Sequence, residues 1–359
     1  MSDSTAIEKE SVSVEVVGRF ATRIGRRWRG DRDLIELIDD ELWEIEGELD
    51  HAGETARAAF LGIPELIRRD VGHLPLFEIA EVAQAAVHAL GGSWKGSIPE
   101  DVEYVLVGLA TRAISTLREI AILLEHGYAF GARARWRTLS EILVVARVLV
   151  QGDRYTATRY KEHRWIILAE QRRRSGMSAW GGGSPTPEVI VRRLRRRFGD
   201  EYGGLYGWAA KVTKRKLGKE KPGWADLVAL AKIEEHSSRI LEAHHAVHGA
   251  DSLGMIGTVD LGRGMFHPGG SPQHVLEVSR SSARLFRQTM WDVFDIGIRY
   301  TQARKPLILQ GIVEAHAFNL EVDLGWRVLS TDPDAREQYF AATSEFWNFP
   351  DLFSAEEAV

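Results

Sequence analysis

The sequence predicts an all-α protein, an antiparallel helical bundle with a smaller N-terminal helical appendage. Three observations carry this reading. Apolar residues recur at three- and four-residue spacing along the long segments, the period of one helix face. No stretch sustains the apolar–polar alternation of a half-buried strand. One segment, 129–150, is apolar on most sides from Leu139 onward, and such a helix lies near the centre of a protein.

That segment belongs to the stretch TLREIAILLEHGYAFGARARWRTLSEILVVARVLVQGDRYTATRYKEHRW, residues 116–165. Two long helices meet there at His126-Gly127-Tyr128, and a third opens near Asp153. At 100° per residue, Arg137 and Glu141 share a side with Phe130, Ala134, Val144 and Val148. The expectation is a charged pair buried on an apolar side of a central helix.

In chain order, residues 1–14 are polar and acidic, and are expected to be a disordered tail. Residues 15–95 form the N-terminal helical region. It opens with a basic helix, 15–29, carrying Arg19, Arg23, Arg26, Arg27 and Arg29. An acidic amphipathic helix follows over 31–50, with ten carboxylates against one Arg and an apolar stripe from Leu34 to Ile45. The basic helix can fold back on it or meet a partner chain. Residues 62–75 read as a loop-rich connection, and 78–90 as a helix ended by Gly91-Gly92. GGSWKGSIPED is turn-rich and is the best candidate boundary.

The core domain is expected over 96–330. Its helices are 101–125, with acidic residues in the first turn as the helix dipole favours, then 129–150, 153–174, 224–248 and 272–301. A short arginine-rich helix, 188–198, follows the flexible composition SGMSAWGGGSPTP. Residues 250–271 read as a Gly-rich loop. The segment 307–349 reads as helical, and 331–359 forms a C-terminal tail that ends in the aromatic run FWNFPDLF.

Composition bounds the function. At 359 residues and 44% hydrophobic content, the chain can bury a sizeable core. It has no cysteine, which excludes disulfides, thiolate metal sites and a cysteine nucleophile. That suits a cytoplasmic protein. The N-terminus lacks the basic-then-apolar pattern of a signal peptide, and no apolar run reaches the ~20 residues of a membrane span. The net charge is −5, but it is uneven. Residues 169–221 hold 14 Lys and Arg against 5 Asp and Glu, a net of +9, which leaves about −14 on the rest.

Three constellations carry candidate chemistry. Arg137 and Glu141 stand at i,i+4, with His163 in RYTATRYKEHRW on the next helix. They are either a buried bridge tying helices together or a polar site in the bundle core. In RILEAHHAVHG, His244 and His248 are one turn apart on an apolar side. Such a pair can ligate a metal, satisfy hydrogen bonds, or act on an anion or a proton. No His-Glu-x-x-His accompanies it and no third ligand can be named, so neither metal nor cofactor is assigned. The basic segment 169–221 interleaves Arg192, Arg193, Arg195, Arg196 and Arg197 with Trp180, Tyr202, Tyr206 and Trp208. Cations for phosphates and rings for bases suit RNA or DNA. The alternative is a solvated surface or a contact with the acidic helix. No phosphate-binding P-loop follows Gly181-Gly182-Gly183, and no strand precedes Gly262-x-Gly264.

Arg239 and His244, spaced Arg-x4-His, resemble the Arg-x4–6-His motif of HEPN-type helical ribonucleases. That resemblance implies metal-independent RNA cleavage by His and Arg, usually across a homodimer. More broadly, EHGYAFGARARWRTLSEILVV, RYKEHRW and AHHAVHGA resemble an uncharacterised bacterial family, the DUF5677 group, over roughly residues 100–300. This implies a helical domain of unknown function. Two readings follow. One is a nucleic-acid-acting enzyme whose site gathers Arg137, Glu141, His163, His244 and His248. The other is a non-enzymatic binding or scaffold protein, in which those residues form a buried network and the basic segment docks a protein partner.

Overall fold

The computed structural model describes residues 62, 64–65, 67–68, 71–72, 74–94, 98–176, 185–233, 243, 259–260, 265–266, 274–301, 310, 313–314, 317–318 and 324. The expectations for residues 1–61 and for the C-terminal aromatic tail lie outside them.

The described chain is helical. Its elements are α1 (Leu76–Trp94), α2 (Glu100–Glu125), α3 (Ala129–Val150), α4 (Arg154–Glu162), α5 (Arg164–Ser175), α6 (Pro187–Phe198), α7 (Ala210–Leu217), α8 (Trp224–Ala231) and α9 (Val275–Thr301). Two 3-10 turns, Asp200–Gly203 and Gly207–Ala209, stand between α6 and α7. Strand pairing among the described residues is confined to one antiparallel ribbon, β1 (Val259–Asp260) with β2 (Met265–Phe266), inside the expected Gly-rich loop. The fold class is all-α, as the periodicity predicts.

Helices α2, α3 and α9 pack on one another and form the centre. Helix α2 buries Val102, Val105, Leu106, Leu109, Ala113, Leu117, Ile120 and Leu124, a three-and-four-spaced face. Its end is a Schellman turn. Tyr128 N–H donates to Leu123 O at 2.7 Å and Gly127 N–H to Leu124 O at 2.9 Å. Gly127 has φ 75°, a left-handed conformation that favours glycine, and the three-residue join makes α2 and α3 antiparallel neighbours. Helix α1 packs on α2 and α9, α4 on α2, and α8 on α3.

Four segments differ from expectation. Residues 62, 64–65 and 67–68 are helical rather than loop. Helix α1 runs through Gly91-Gly92 to Trp94, because glycine lowers helix propensity without forbidding it. The helix expected over 153–174 breaks at His163, whose N–H is shared between Arg159 O (3.0 Å) and Tyr160 O (3.2 Å). The helix expected over 224–248 stops at Ala231, where Lys232 takes the left-handed conformation at φ 49°. Farther on, Gln310, Val313, Ala317 and Leu324 are helical and buried. No helix among the described residues is long and apolar enough to cross a membrane.

Candidate functional site

Helix α6 opens with Pro187 at its first turn, a place proline suits because its missing N–H has no partner there anyway. Leu194 and Phe198, one turn apart, are buried together with Pro187. Val189, Ile190 and Val191 are half-buried, and Glu188 is exposed in the first turn. Arg192, Arg193, Arg195, Arg196 and Arg197 are all exposed. None of the five makes an ion pair among the described residues. Arg197 lies over the Phe198 ring at 4.9 Å. Arg195 lies on the backbone of Gly203, where a Cβ would collide with its guanidinium. The helix is therefore seated by its apolar stripe and presents five exposed arginines, of which Arg197 lies near enough to Asp101 to help lower its pKa.

Helices α5 and α6 pack side by side, and an open groove of about 1210 Å³ runs along them. Arg172, Arg173, Arg174 and Arg195 line it together with Ile166, Ile167, Val191 and Leu205. Two carboxylates share that rim. Glu170 accepts from Arg173 Nη2 at 2.6 Å and from Arg174 Nε at 2.8 Å, and Glu188 stands 3.4 Å from Arg172 Nε. The two arginine bonds hold the Glu170 carboxyl down at about 2.

A buried cluster fixes the far side of α6. Arg159 on α4 is 1% exposed. Its Nη2 donates to Gly207 O at 3.4 Å and stands 3.9 Å from Glu201 Oε1. The rings of Phe198 and Tyr202 flank its guanidinium at 5.7 and 5.8 Å. Its Nε and Nη1 have no partner among the described residues. Burial lowers the Arg159 pKa, and Glu201 opposes that shift. The Tyr202 hydroxyl donates to Arg159 O at 2.8 Å, and burial pushes its pKa up. His163, 4% exposed, donates from Nε2 to Gly204 O at 2.9 Å and meets Tyr202 edge-on at 5.7 Å. Burial lowers its pKa, so the ring is neutral and carries its proton on Nε2. Tyr160 adds an edge-to-face contact with Trp208 at 4.9 Å. The α4 side chains thus clamp residues 198–208, and that clamp sets where α6 lies.

The expected core site is only partly visible. Arg137 Nε donates to Glu141 Oε1 at 3.1 Å, so the pair forms. It is not buried as expected: the side chains are 33% and 44% exposed. Val144 and Val148, farther along the same side, are fully buried. The N-terminal half of that side instead opens toward solvent beside Tyr206, whose hydroxyl feels the Glu141 charge. No hydrogen bond links the pair to His163 among the described residues. Arg239, His244, His248 and Trp180 lie outside the described residues. Among the described ones, no three His, Cys, Asp or Glu side chains gather as a metal site.

Sequence reasoning passed over Arg159. The signal was present, since Thr156, Arg159 and His163 fall at i, i+3 and i+7, one helix side.

No curated protein and no solved structure matches the chain. Residues 103–253 match a family of unknown function, DUF5677. The matched span holds the Arg137–Glu141 pair, the Arg159 clamp, the groove and the whole of α6. Over residues 103–253 the chain is thus similar to the DUF5677 family.

Proposed function

We propose that this protein acts on nucleic acid, and that the arginine face of α6 is the surface that holds it. One observation carries the reading: five exposed arginines on a single three-turn helix, none of them neutralised by an ion pair among the described residues. Like charges crowded in this way raise the local potential and destabilise the surface that bears them. A polyphosphate relieves that repulsion and releases its own counterions on binding. Arginine suits the task, because its planar fork of donors pairs with phosphate oxygens. Helix α7 extends the basic surface with Lys211, Lys214, Arg215 and Lys216, all exposed.

Of the expected catalytic set, His163 as placed is a structural histidine, which leaves cleavage to Arg137, Glu141, His244 and His248. The α6 face is therefore a binding surface, with cleavage an added activity of the same complex. The test is a fluorescence-anisotropy titration of a labelled oligonucleotide at low salt. Wild type is compared with a variant in which Arg192, Arg193, Arg195, Arg196 and Arg197 are all changed to Gln. Binding by wild type and its loss in the variant, with unchanged helicity, supports the reading. No binding by wild type overturns it in favour of a scaffold protein.

A further inference from the structure

The groove between α5 and α6 says which form of nucleic acid fits, and this inference rests on the reading of α6 as a phosphate-holding face. Its two walls differ in chemistry. The rim is cationic, with Arg172, Arg173, Arg174 and Arg195. The floor is aliphatic and wet: Ile167 is 53% exposed and Leu205 66%. Exposed large aliphatic side chains beside four guanidinium groups are an unusual pairing for a surface with no task. The cations ask for phosphates, and the floor asks for an apolar face to cover it.

We infer that the groove takes single-stranded nucleic acid, with phosphates on the arginine rim and unpaired base faces against Ile167 and Leu205. A duplex can reach the rim, but its bases are stacked inside and cannot cover the floor. A single strand offers both chemistries at once, and here aliphatic side chains stand where strand-binding grooves in general present aromatic rings. At about 1210 Å³ the groove exceeds the ~300–1,000 Å³ of ordinary small-molecule pockets and has room for more than one base. The rim carboxylates do not block this. Glu170 holds Arg173 and Arg174 in exposed ion pairs, which are weak enough for a phosphate to replace, whereas Arg172, 16% exposed, stays with Glu188.

The test titrates the full chain with three probes of matched charge: a single strand, run as both RNA and DNA, a duplex of half its length, and polyglutamate. A single strand of either sugar should bind about fivefold more tightly than the duplex, the low end of what one stacked base contributes. The paired change Ile167→Ser and Leu205→Ser should bring the two affinities within about twofold while duplex binding stays unchanged. Both positions are exposed, and an unchanged thermal melt shows that the variant folds. Duplex binding as tight as single-strand binding overturns this inference and leaves the α6 reading intact, as does a single-strand preference that survives the double change. Polyglutamate binding more tightly than either nucleic acid identifies an acidic protein partner and overturns the inference together with the α6 reading. Failure of every probe to bind overturns the α6 reading itself.

Discussion

Arg147 Nε donates to Asp292 Oδ2 at 3.2 Å, joining α3 to α9 through the centre of the fold. The same guanidinium donates from Nη1 to the carbonyls of Ala231 (2.9 Å) and Lys232 (3.3 Å), and from Nη2 to Gln288 at 3.3 Å. One side chain thus ties three helices and, with Gln151 Nε2 donating to Leu230 O at 2.8 Å, satisfies open C-terminal carbonyls of α8. In the sequence, Arg147 is only the residue that interrupts an apolar run.

Burial pushes the Asp292 carboxyl up to about 6, although Arg147 pulls it down. The sign follows from linkage. A folded-state pKa above the unfolded value of 3.8 means that folding favours the protonated form. Asp292 therefore contributes stability that is fully present below about pH 4 and lost as pH rises through about 6. Asp292→Asn should remove that dependence. Urea melts at pH 4, 5, 6 and 7 should show wild type gaining on the variant as pH falls, by on the order of 2–3 kcal/mol across the range. Parallel curves would mean that Asp292 does not titrate there.

Arg159 yields a second prediction. Its buried charge has two unmet donors and one carboxylate at a long 3.9 Å. Replacing such a cation with an apolar residue of similar length is often neutral or stabilising, whereas removing its counter-ion is not. Arg159→Met should keep or raise the melting temperature, since the Tyr202 hydroxyl bonds the Arg159 backbone and is retained. Glu201→Gln should lower stability by about 1–3 kcal/mol. A larger loss in Arg159→Met than in Glu201→Gln would reverse this account of the clamp.

Glu141→Ala is a test of exposure. Breaking a buried pair costs about 3–5 kcal/mol. The side chains of Arg137 and Glu141 are a third or more exposed, so the change should cost under about 1 kcal/mol. A chemical denaturation midpoint that moves by the larger amount would place the pair in the core after all.

Glu170 holds Arg173 and Arg174 on the groove rim. Glu170→Gln should release both and tighten oligonucleotide binding a few-fold at low salt, with the gain shrinking as salt rises. Binding that weakens in this variant would show that the carboxylate itself contributes to the site.

The parts of the fold legible in the sequence are those set by local periodicity. The joint at His126-Gly127-Tyr128 and the limits of α2 and α3 follow from apolar spacing and one left-handed glycine. The break at His163 carries no local mark, because its φ of −63° and ψ of −19° stay near helical values and no Gly or Pro flags it. The His163 side chain meets Gly204 O, 41 residues away, a contact that no local pattern shows. The Arg137–Glu141 pair shows the complementary limit. A helical wheel reports which residues share a side, not what covers that side, and here the cover ends between Glu141 and Val144. The arginine face of α6 was legible, because a surface helix is decided by its own residues. The groove beside it was not, since Ile167 and Leu205 are brought together only by tertiary packing.

The claim that α6 holds phosphates is tested most directly by the salt dependence of binding. The logarithm of the association constant for a single-stranded oligonucleotide is measured against the logarithm of salt concentration, for wild type and for the variant with Gln at 192, 193, 195, 196 and 197. Wild type should show a steep negative slope, and the variant's slope should be shallower by about 0.7 for each arginine that meets a phosphate, up to about 3.5 for all five. Equal slopes in two equally folded proteins would show that these arginines touch no phosphate, and would contradict the account.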